Sequence, residues 1–306
     1  MRLGIAVVYL VSEKNEPLLD LHLDRLVRHT RVPFTIYGVV NRPAPWLERR
    51  LSLPFVRLCR LPPTGERGPA EHAYYLDSLL LEAVHDGATH IATLHVDSFP
   101  VRDRWEEELA AGLDAGTPFA AAVRDEAVDF KPFTAAILAR ADFLGRHRPT
   151  LLLSREAMAT REYRRYRRAF PHHPDSGVGW GLTAWRDGLA WLPLKRSNRG
   201  QDHIHFGSIH GDTFFHLGAA SWGRKDFPGS VAPTAALRLR TRLAPFLRGL
   251  LPAAARERLK PGIAHRFPLL DNERTYRANE AAFERVRARL LADPEGYVNF
   301  LRYGCA

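Results

Sequence analysis

His90-Ile91-Ala92-Thr93-Leu94-His95-Val96-Asp97-Ser98-Phe99-Pro100 is an apolar run that ends in polar, ligand-capable side chains. Ile91, Ala92, Leu94 and Val96 predict a buried strand over 90–97, closed by Pro100. His95 and Asp97 are two residues apart, so on a strand they share a face. Trp105-Glu106-Glu107-Glu108-Leu109 then opens a helix. In open α/β sheets ligands sit just beyond the carboxyl ends of strands. An acid at that place is a site candidate, and its plainer role is to cap a turn.

The chain before this run alternates strand and helix. Residues 3–10 read as a buried strand, and Asn15 to Thr30 as a helix with Leu18, Leu19, Leu23, Leu26 and Val27 on one stripe. Phe34 to Val40 is a second strand ending at Asn41, and Pro54 to Leu61 holds a short third. Residues 62–69 are loop by composition, and Ala70 to His85 is helical. Such alternation predicts a mostly parallel sheet with helices on its faces. No G-x-G-x-x-G follows the first strand and no G-x-x-x-x-G-K-[ST] occurs, which weakens dinucleotide-binding and P-loop readings.

Beyond the run, Phe119 to Val123 reads as a strand and Phe133 to Phe143 as a strand–helix pair. Ser154 to Phe170 reads as one basic helix, with Arg161, Arg164, Arg165, Arg167 and Arg168 around Tyr163 and Tyr166. The turn-rich Pro171–Gly181 segment begins another helix, and Leu189 to Leu194 is a strand. From Ser230 the chain reads as helical, broken at Pro245 and Pro252 and rich in arginine. The division expected is a core domain over 1–228 and a helical C-terminal extension over 229–306.

Composition bounds the function. With 306 residues, 45% hydrophobic and 25% charged, the chain is an ordinary globular one. No apolar run approaches the ~20 residues that cross a bilayer. The apolar start is followed directly by Ser12-Glu13-Lys14-Asn15-Glu16 and lacks a small-residue cleavage site, so it reads as a strand rather than a signal peptide. Cys59 and Cys305 stand far apart, which argues against a disulfide framework or zinc cluster and favours the cytoplasm. A net charge of +10 favours anionic partners such as nucleotide phosphates or an anionic membrane face. An arginine-rich genome composition would account for the same excess.

Taken in order, several pieces resemble a GT-A type nucleotide-sugar glycosyltransferase of the family-2-like branch, with a Rossmann-like, mostly parallel central sheet. They are His95-Val96-Asp97-Ser98-Phe99-Pro100 before Trp105, Glu71-His72-Ala73 and Leu76-Asp77 upstream, Asp175-Ser176-Gly177, and Gly211-Asp212-Thr213-Phe214-Phe215-His216-Leu217-Gly218-Ala219. The likeness covers about residues 3–222. In that branch the acidic metal motif takes the form His-x-Asp-x-Phe-Pro rather than Asp-x-Asp, and His95 occupies the first acidic position.

The resemblance implies transfer of a sugar from a nucleoside diphosphate, UDP-linked, to a saccharide, lipid-linked or small-molecule acceptor. The departing diphosphate gains negative charge in the transition state, and a divalent cation stabilises that charge. Asp97 supplies one ligand to Mn²⁺ or Mg²⁺, and His216 matches the late histidine that supplies another; its plainer role is a core histidine. His95 would hold a metal-bound water, contact the ribose or orient Asp97. Tyr9, Val11, Ser12 and Glu13 at the first strand's end, Asn41 at the second's, and His72 lie where such enzymes hold the nucleotide. Glu71 would join His72 or serve the first helical turn. Asp175 is the candidate general base for an inverting reaction, or a helix N-cap; Asp212 is the weaker alternative.

Other readings compete. His203, His205 and His210 invite zinc, but no acid or cysteine stands at a recognised spacing. A lid touching diphosphate through His205, Lys195, Arg199 or Arg224 is the preferred reading of that loop. The basic segments fit a phosphorylated acceptor or peripheral contact with the inner membrane face. A metal-dependent nucleotidyltransferase or phosphohydrolase is the second enzyme reading. A nucleic-acid-binding module is the non-enzymatic one, and it lacks any recognisable RRM, KH or zinc-finger signature.

Overall fold

The computed structural model describes residues 1–11, 15–40, 42, 44–126, 129–203, 205–218 and 272–304. A seven-stranded sheet runs β3-β2-β1-β4-β7-β6-β8. Its strands are β1 (Leu3–Tyr9), β2 (Phe34–Val40), β3 (Val56–Leu58), β4 (His90–Leu94), β6 (Phe119–Ala122), β7 (Phe133–Arg140) and β8 (Leu192–Leu194). All neighbouring pairs are parallel except β4–β7 and β6–β7, so β7 alone runs against the rest. The expected mostly parallel α/β sheet is present. β1 lies inside it, between β2 and β4, with all seven residues buried, as a near-continuous apolar strand requires when both faces are covered.

The covering follows from the helices. α1 (Glu16–His29) and α2 (Pro45–Arg50) connect the first strands, and α3 (Pro69–His85) leads into β4. Leu19, Leu23 and Leu26 of α1 pack with Ile5, Val7 and Ile36 on one face. Leu76, Leu79, Leu80 and Ala83 of α3 pack with Ala6, Val8 and Ile91 on the other. α4 (Trp105–Ala110) buries Trp105, whose indole N–H donates to Thr30 Oγ1 at 3.0 Å.

A second sheet of three antiparallel strands has the order β5-β10-β9, with β5 (Ser98–Pro100), β9 (Ser208–His210) and β10 (Phe214–His216). The β9–β10 turn has positive φ at both central residues, Gly211 (58°) and Asp212 (53°). Thr213 N–H donates to His210 O at 3.0 Å across them, a primed turn inside a three-residue loop between the paired His210 and Phe214. Behind this sheet lie α9 (Asn272–Ala292) and α10 (Pro294–Tyr303). Phe283, Val286, Leu290, Tyr297 and Leu301 pack there against Phe99, Phe215 and Leu217. The expected boundary at 228/229 and the helical reading over 230–271 lie outside the described residues, while α9 and α10 bear out the helical reading over 272–303. No helix among the described residues is long and apolar enough to cross a membrane.

Three details differ from the sequence reading. The strand over 90–97 is shorter: β4 stops at Leu94 and β5 starts a different sheet at Ser98. The single helix over Ser154 to Phe170 is two, α6 (Arg155–Ala159) and α7 (Arg161–Ala169). Thr160, with ψ of 157°, ends the first, and its Oγ1 accepts from Tyr163 N–H to start the second. α2 was not anticipated, although Pro45 at a first helical position marks it.

α5 (Ala141–His147) and α8 (Val178–Arg186) complete the layer beyond β7. α8 is buried from Val178 to Ala184 and packs under α7. Close approach explains its glycines. Gly177 has φ of 97°, and a Cβ there would collide with Pro132 O; one on Gly179 would collide with Thr150 O. Both obstacles are backbone and cannot swing away. Gly179→Ala is therefore expected to destabilise the protein by about 1–3 kcal/mol or more, read as a lowered midpoint in denaturant. An unchanged midpoint would show that α8 does not pack this closely.

Candidate functional site: a histidine–aspartate cluster at the strand ends

The cluster is built on the turn that joins the two sheets. Ser98 N–H donates to His95 O at 2.9 Å, while Ser98 Oγ accepts from His95 N–H at 2.9 Å and also meets Ala135 O of β7. Beneath it, the fully buried His22 of α1 donates from Nδ1 to Ser98 O at 2.7 Å. The turn is therefore tied to both sheet and helix. His95 and Asp97 meet because of this turn, not because they share a strand face as the spacing suggested.

His216 arrives from the far end of the described core. β10 pairs with β5 so that His216 lies opposite Ser98, and Leu217 N–H donates to Asp97 O at 2.9 Å. His216 Nε2 then lies 3.7 Å from Asp97 Oδ1. One ligand atom each from His95, Asp97 and His216 fall within 4.8 Å of one another. Among the described residues no other group of three such side chains converges in this way. The place is just past the carboxyl end of β4, where open α/β sheets bind ligands.

The surroundings hold the imidazoles neutral. Burial pushes His216 down to about 3 and His72 down to about 4, and pushes His95 well below its ordinary value. The neighbouring Arg124 guanidinium acts in the same direction on His216 and His95. His95 Nε2 lies 3.1 Å from Thr134 Oγ1, which in turn meets Ser176 Oγ at 3.2 Å. The ring of Phe133 sits edge-on to His95 and His216, with centroids at 5.6 and 5.1 Å. Neutral imidazoles beside a carboxylate are the protonation states a divalent cation needs.

The predicted site residues fall into distinct groups. His72, in the first turn of α3, joins the cluster with its ring 5.0 Å from that of His95. Asp175 lies in the loop before α8, and its carboxylate accepts from Ser176 N–H at 2.8 Å. It is not the N-cap of α8: Gly177 holds that position, with no side-chain cap. Tyr9 is a core residue, 1% exposed and edge-on to His22, so its ring is placed in packing rather than on an open surface. Val11 is half-buried against the same core. Ser12, Glu13, Asn41 and Arg224 lie outside the described residues. Asp212 occupies the hairpin turn at the opposite end of β10 from His216.

In the histidine loop, His203 stacks on Phe206 at 4.6 Å and its Nδ1 accepts from His205 N–H. His210 is buried in β9, and Lys195 pairs with Glu126 at 2.7 Å. The sequence reading overlooked Arg124, Phe133 and Thr134. They lie on β7 or between β6 and β7, and Phe133 and Thr134 looked like ordinary strand residues. An arginine directly after the apolar Phe119–Val123 strand was the available signal for Arg124.

No family model matches the chain, and no curated protein matches it. Several solved structures share parts of its outline at low identity. Mouse xyloside xylosyltransferase 1 is 12% identical over 63% of this chain and 85% of its own, with a TM-score of 0.38. The mannosyltransferase PcManGT of Pyrobaculum calidifontis, solved with GDP-Man and Mn²⁺, is 14% identical over 97% of this chain and 84% of its own, at 0.39. S. aureus TarS is 13% identical at 0.36, and the match spans 51% of this chain and about half (53%) of that one. At such identities and scores the likeness is too remote to assign this chain an activity.

Neutral burial of histidines has a thermodynamic consequence. His22, His72, His210 and His216 have folded values near 3 to 4 against an ordinary 6.5. Below pH ~6.5 the unfolded chain binds protons at these sites that the folded chain does not, so their stabilisation is present at pH 7 and lost on acidification. Each group contributes about 1.4 kcal/mol per pH unit in that window. Asp77 opposes them: burial raises it to about 7, so its contribution falls as pH rises between about 4 and 7. Four groups outweigh one. Denaturant unfolding with chelator present should show stability falling steeply from pH 7 to pH 5; a flat or rising profile would contradict the buried, neutral imidazoles.

Proposed function

We propose that this chain is a metal-assisted glycosyltransferase that moves a sugar from a nucleoside-diphosphate donor, UDP-linked, to an acceptor hydroxyl. The observation that carries the reading is the convergence of His95, Asp97 and His216 at the end of β4. The His-x-Asp-x-Phe-Pro motif, with the late histidine registered opposite it, supports the same reading.

The donor set suits the cation. One carboxylate and two desolvated imidazoles favour Mn²⁺ over Mg²⁺, which prefers all-oxygen surroundings. Asp97 and His216 would hold the ion, with His95 as third ligand or as holder of a bound water. When bound, the ion supplies charge stabilisation to the departing diphosphate. Asp175 acts as general base: the acceptor oxygen forms its bond to the anomeric carbon and gives its proton to Asp175. The bond from that carbon to the diphosphate oxygen breaks, and the nucleotide leaves with the electron pair. His72, Val11, Ser12, Glu13 and Asn41 would line the nucleotide side. Tyr9 supports that wall from within the core.

The acceptor side is basic. α7 places Arg161, Arg164, Arg165 and Arg168 at exposed positions above buried Tyr163 and Tyr166. Like charges three and four residues apart do not stabilise a helix. The stripe fits an acceptor that is anionic or is presented at an anionic membrane face.

Calorimetry with UDP-, GDP- and dTDP-sugars tests the reading. Binding of a UDP-sugar should require Mn²⁺, vanish with chelator, and be lost in Asp97→Ala and weakened at least tenfold in His216→Ala, while both variants keep the wild-type far-UV spectrum. Failure of every nucleotide sugar to bind would overturn the assignment. Hydrolysis of simple phosphoesters without sugar transfer would move it to a phosphohydrolase.

A further inference from the structure

A chain of charges leads from the protein interior to Asp175. Lys131 has no exposed surface, and its Nζ donates to both oxygens of Asp129 at 2.7 and 2.9 Å. Asp129 is itself buried and also accepts from His173 N–H at 2.9 Å. Arg124 lies across this pair, with Nη1 3.6 Å from Asp129 Oδ2 and Nη2 3.8 Å from Asp175 Oδ2. Its guanidinium is stacked over the Phe133 ring at 4.4 Å. That ring is the one wedged against His95 and His216.

We propose that Arg124 is a positioning residue that holds the Asp175 carboxylate beside the histidine–aspartate cluster, fixed in its turn by the buried Asp129–Lys131 pair and the face of Phe133. The proposal rests on the glycosyltransferase reading and on Asp175 as its base.

The physical case has two parts. A buried ion pair does little for net stability, because desolvation offsets its attraction; in some proteins it fixes geometry instead. Here the pair presents a carboxylate oxygen at a defined place, and Arg124 transmits that placement to the mouth of the site. The planar guanidinium suits this task, since it stacks on a ring while its separate N–H groups address two carboxylates. Asp175 is thereby held toward the acceptor side of the cluster. The basic side chains facing it are those of Arg124 and Lys131, with the neutral His72 of α3 beside them.

The test is steady-state hydrolysis of UDP-glucose, UDP-galactose and UDP-N-acetylglucosamine with Mn²⁺, using whichever the wild-type protein turns over fastest. Arg124 is partly exposed, so Arg124→Gln is expected to fold, which thermal unfolding checks. In Arg124→Gln, kcat should fall about 10- to 100-fold, a share of the ~10²–10⁴-fold a placed base contributes. The donor KM should stay within about twofold. Arg124→Lys should recover part of kcat, again with the donor KM within about twofold of wild type.

Two controls separate the claims. If Asp175→Asn abolishes turnover while Arg124→Gln keeps wild-type kcat, the positioning role is overturned and the base assignment stands. If Asp175→Asn turns over normally, the base assignment fails and the positioning role fails with it. A raised donor KM at unchanged kcat in Arg124→Gln would also overturn the proposal, since Arg124 would then be binding the donor itself.

Discussion

The backbone pairing of β10 with β5 is the constraint on which the site depends. It sets His216 opposite Ser98 and closes with the hydrogen bond from Leu217 N–H to Asp97 O. Two segments more than a hundred residues apart in sequence thereby deliver three ligand-capable side chains to one point. A slip of one residue in that pairing would turn His216 to the opposite face of its strand. The apolar contacts behind the small sheet resist such a slip. Phe99 and Phe215 stack at 4.8 Å, and α9 and α10 press Phe283, Tyr297 and Leu301 against them. Two arginines of α1, Arg25 and Arg28, reach Glu295 of α10 at 2.6 and 2.7 Å. The C-terminal helices thus act on the site through the sheet they back, without supplying a ligand.

The large sheet has a complementary role. Its parallel strands direct their carboxyl ends to one edge, and the reversal at β7 brings Thr134 and Phe133 back to that same edge. Thr134 orients the His95 ring, and Phe133 forms the apolar wall between the histidines and Arg124. Desolvation by this wall keeps the imidazoles neutral, and neutrality makes them donors rather than repelling cations. The stability of the fold and the readiness of the site therefore share one cause, the burial of uncharged histidine.

Much of this was legible in the sequence, where local pattern and chain order carry the information. The strand–helix alternation of the first hundred residues located β1 to β4, α1 and α3 within a few positions, though not α2, and the sheet is mostly parallel as expected. Asp97 was singled out at the end of its strand and His216 by the family resemblance, and they do come together. The geometry between them was not legible. Period-2 spacing put His95 and Asp97 on a strand that in fact stops at Leu94, because the Ser98 hydroxyl satisfies the backbone of a turn there. Tyr9 read as a nucleotide-facing aromatic because it ends a strand, yet it is sealed in the core beside His22. Arg124, Phe133 and Asp129 escaped notice since their importance lies in contacts across sheet and loops, which no local pattern encodes.

A crystal structure grown with UDP and Mn²⁺, with anomalous scattering recorded at the manganese edge, tests the central claim most directly. The account predicts a single strong manganese peak bonded to Asp97 and His216, with His95 adjoining and the diphosphate on the ion's open side. A peak bound elsewhere, or a nucleotide seated away from the end of β4, would contradict it.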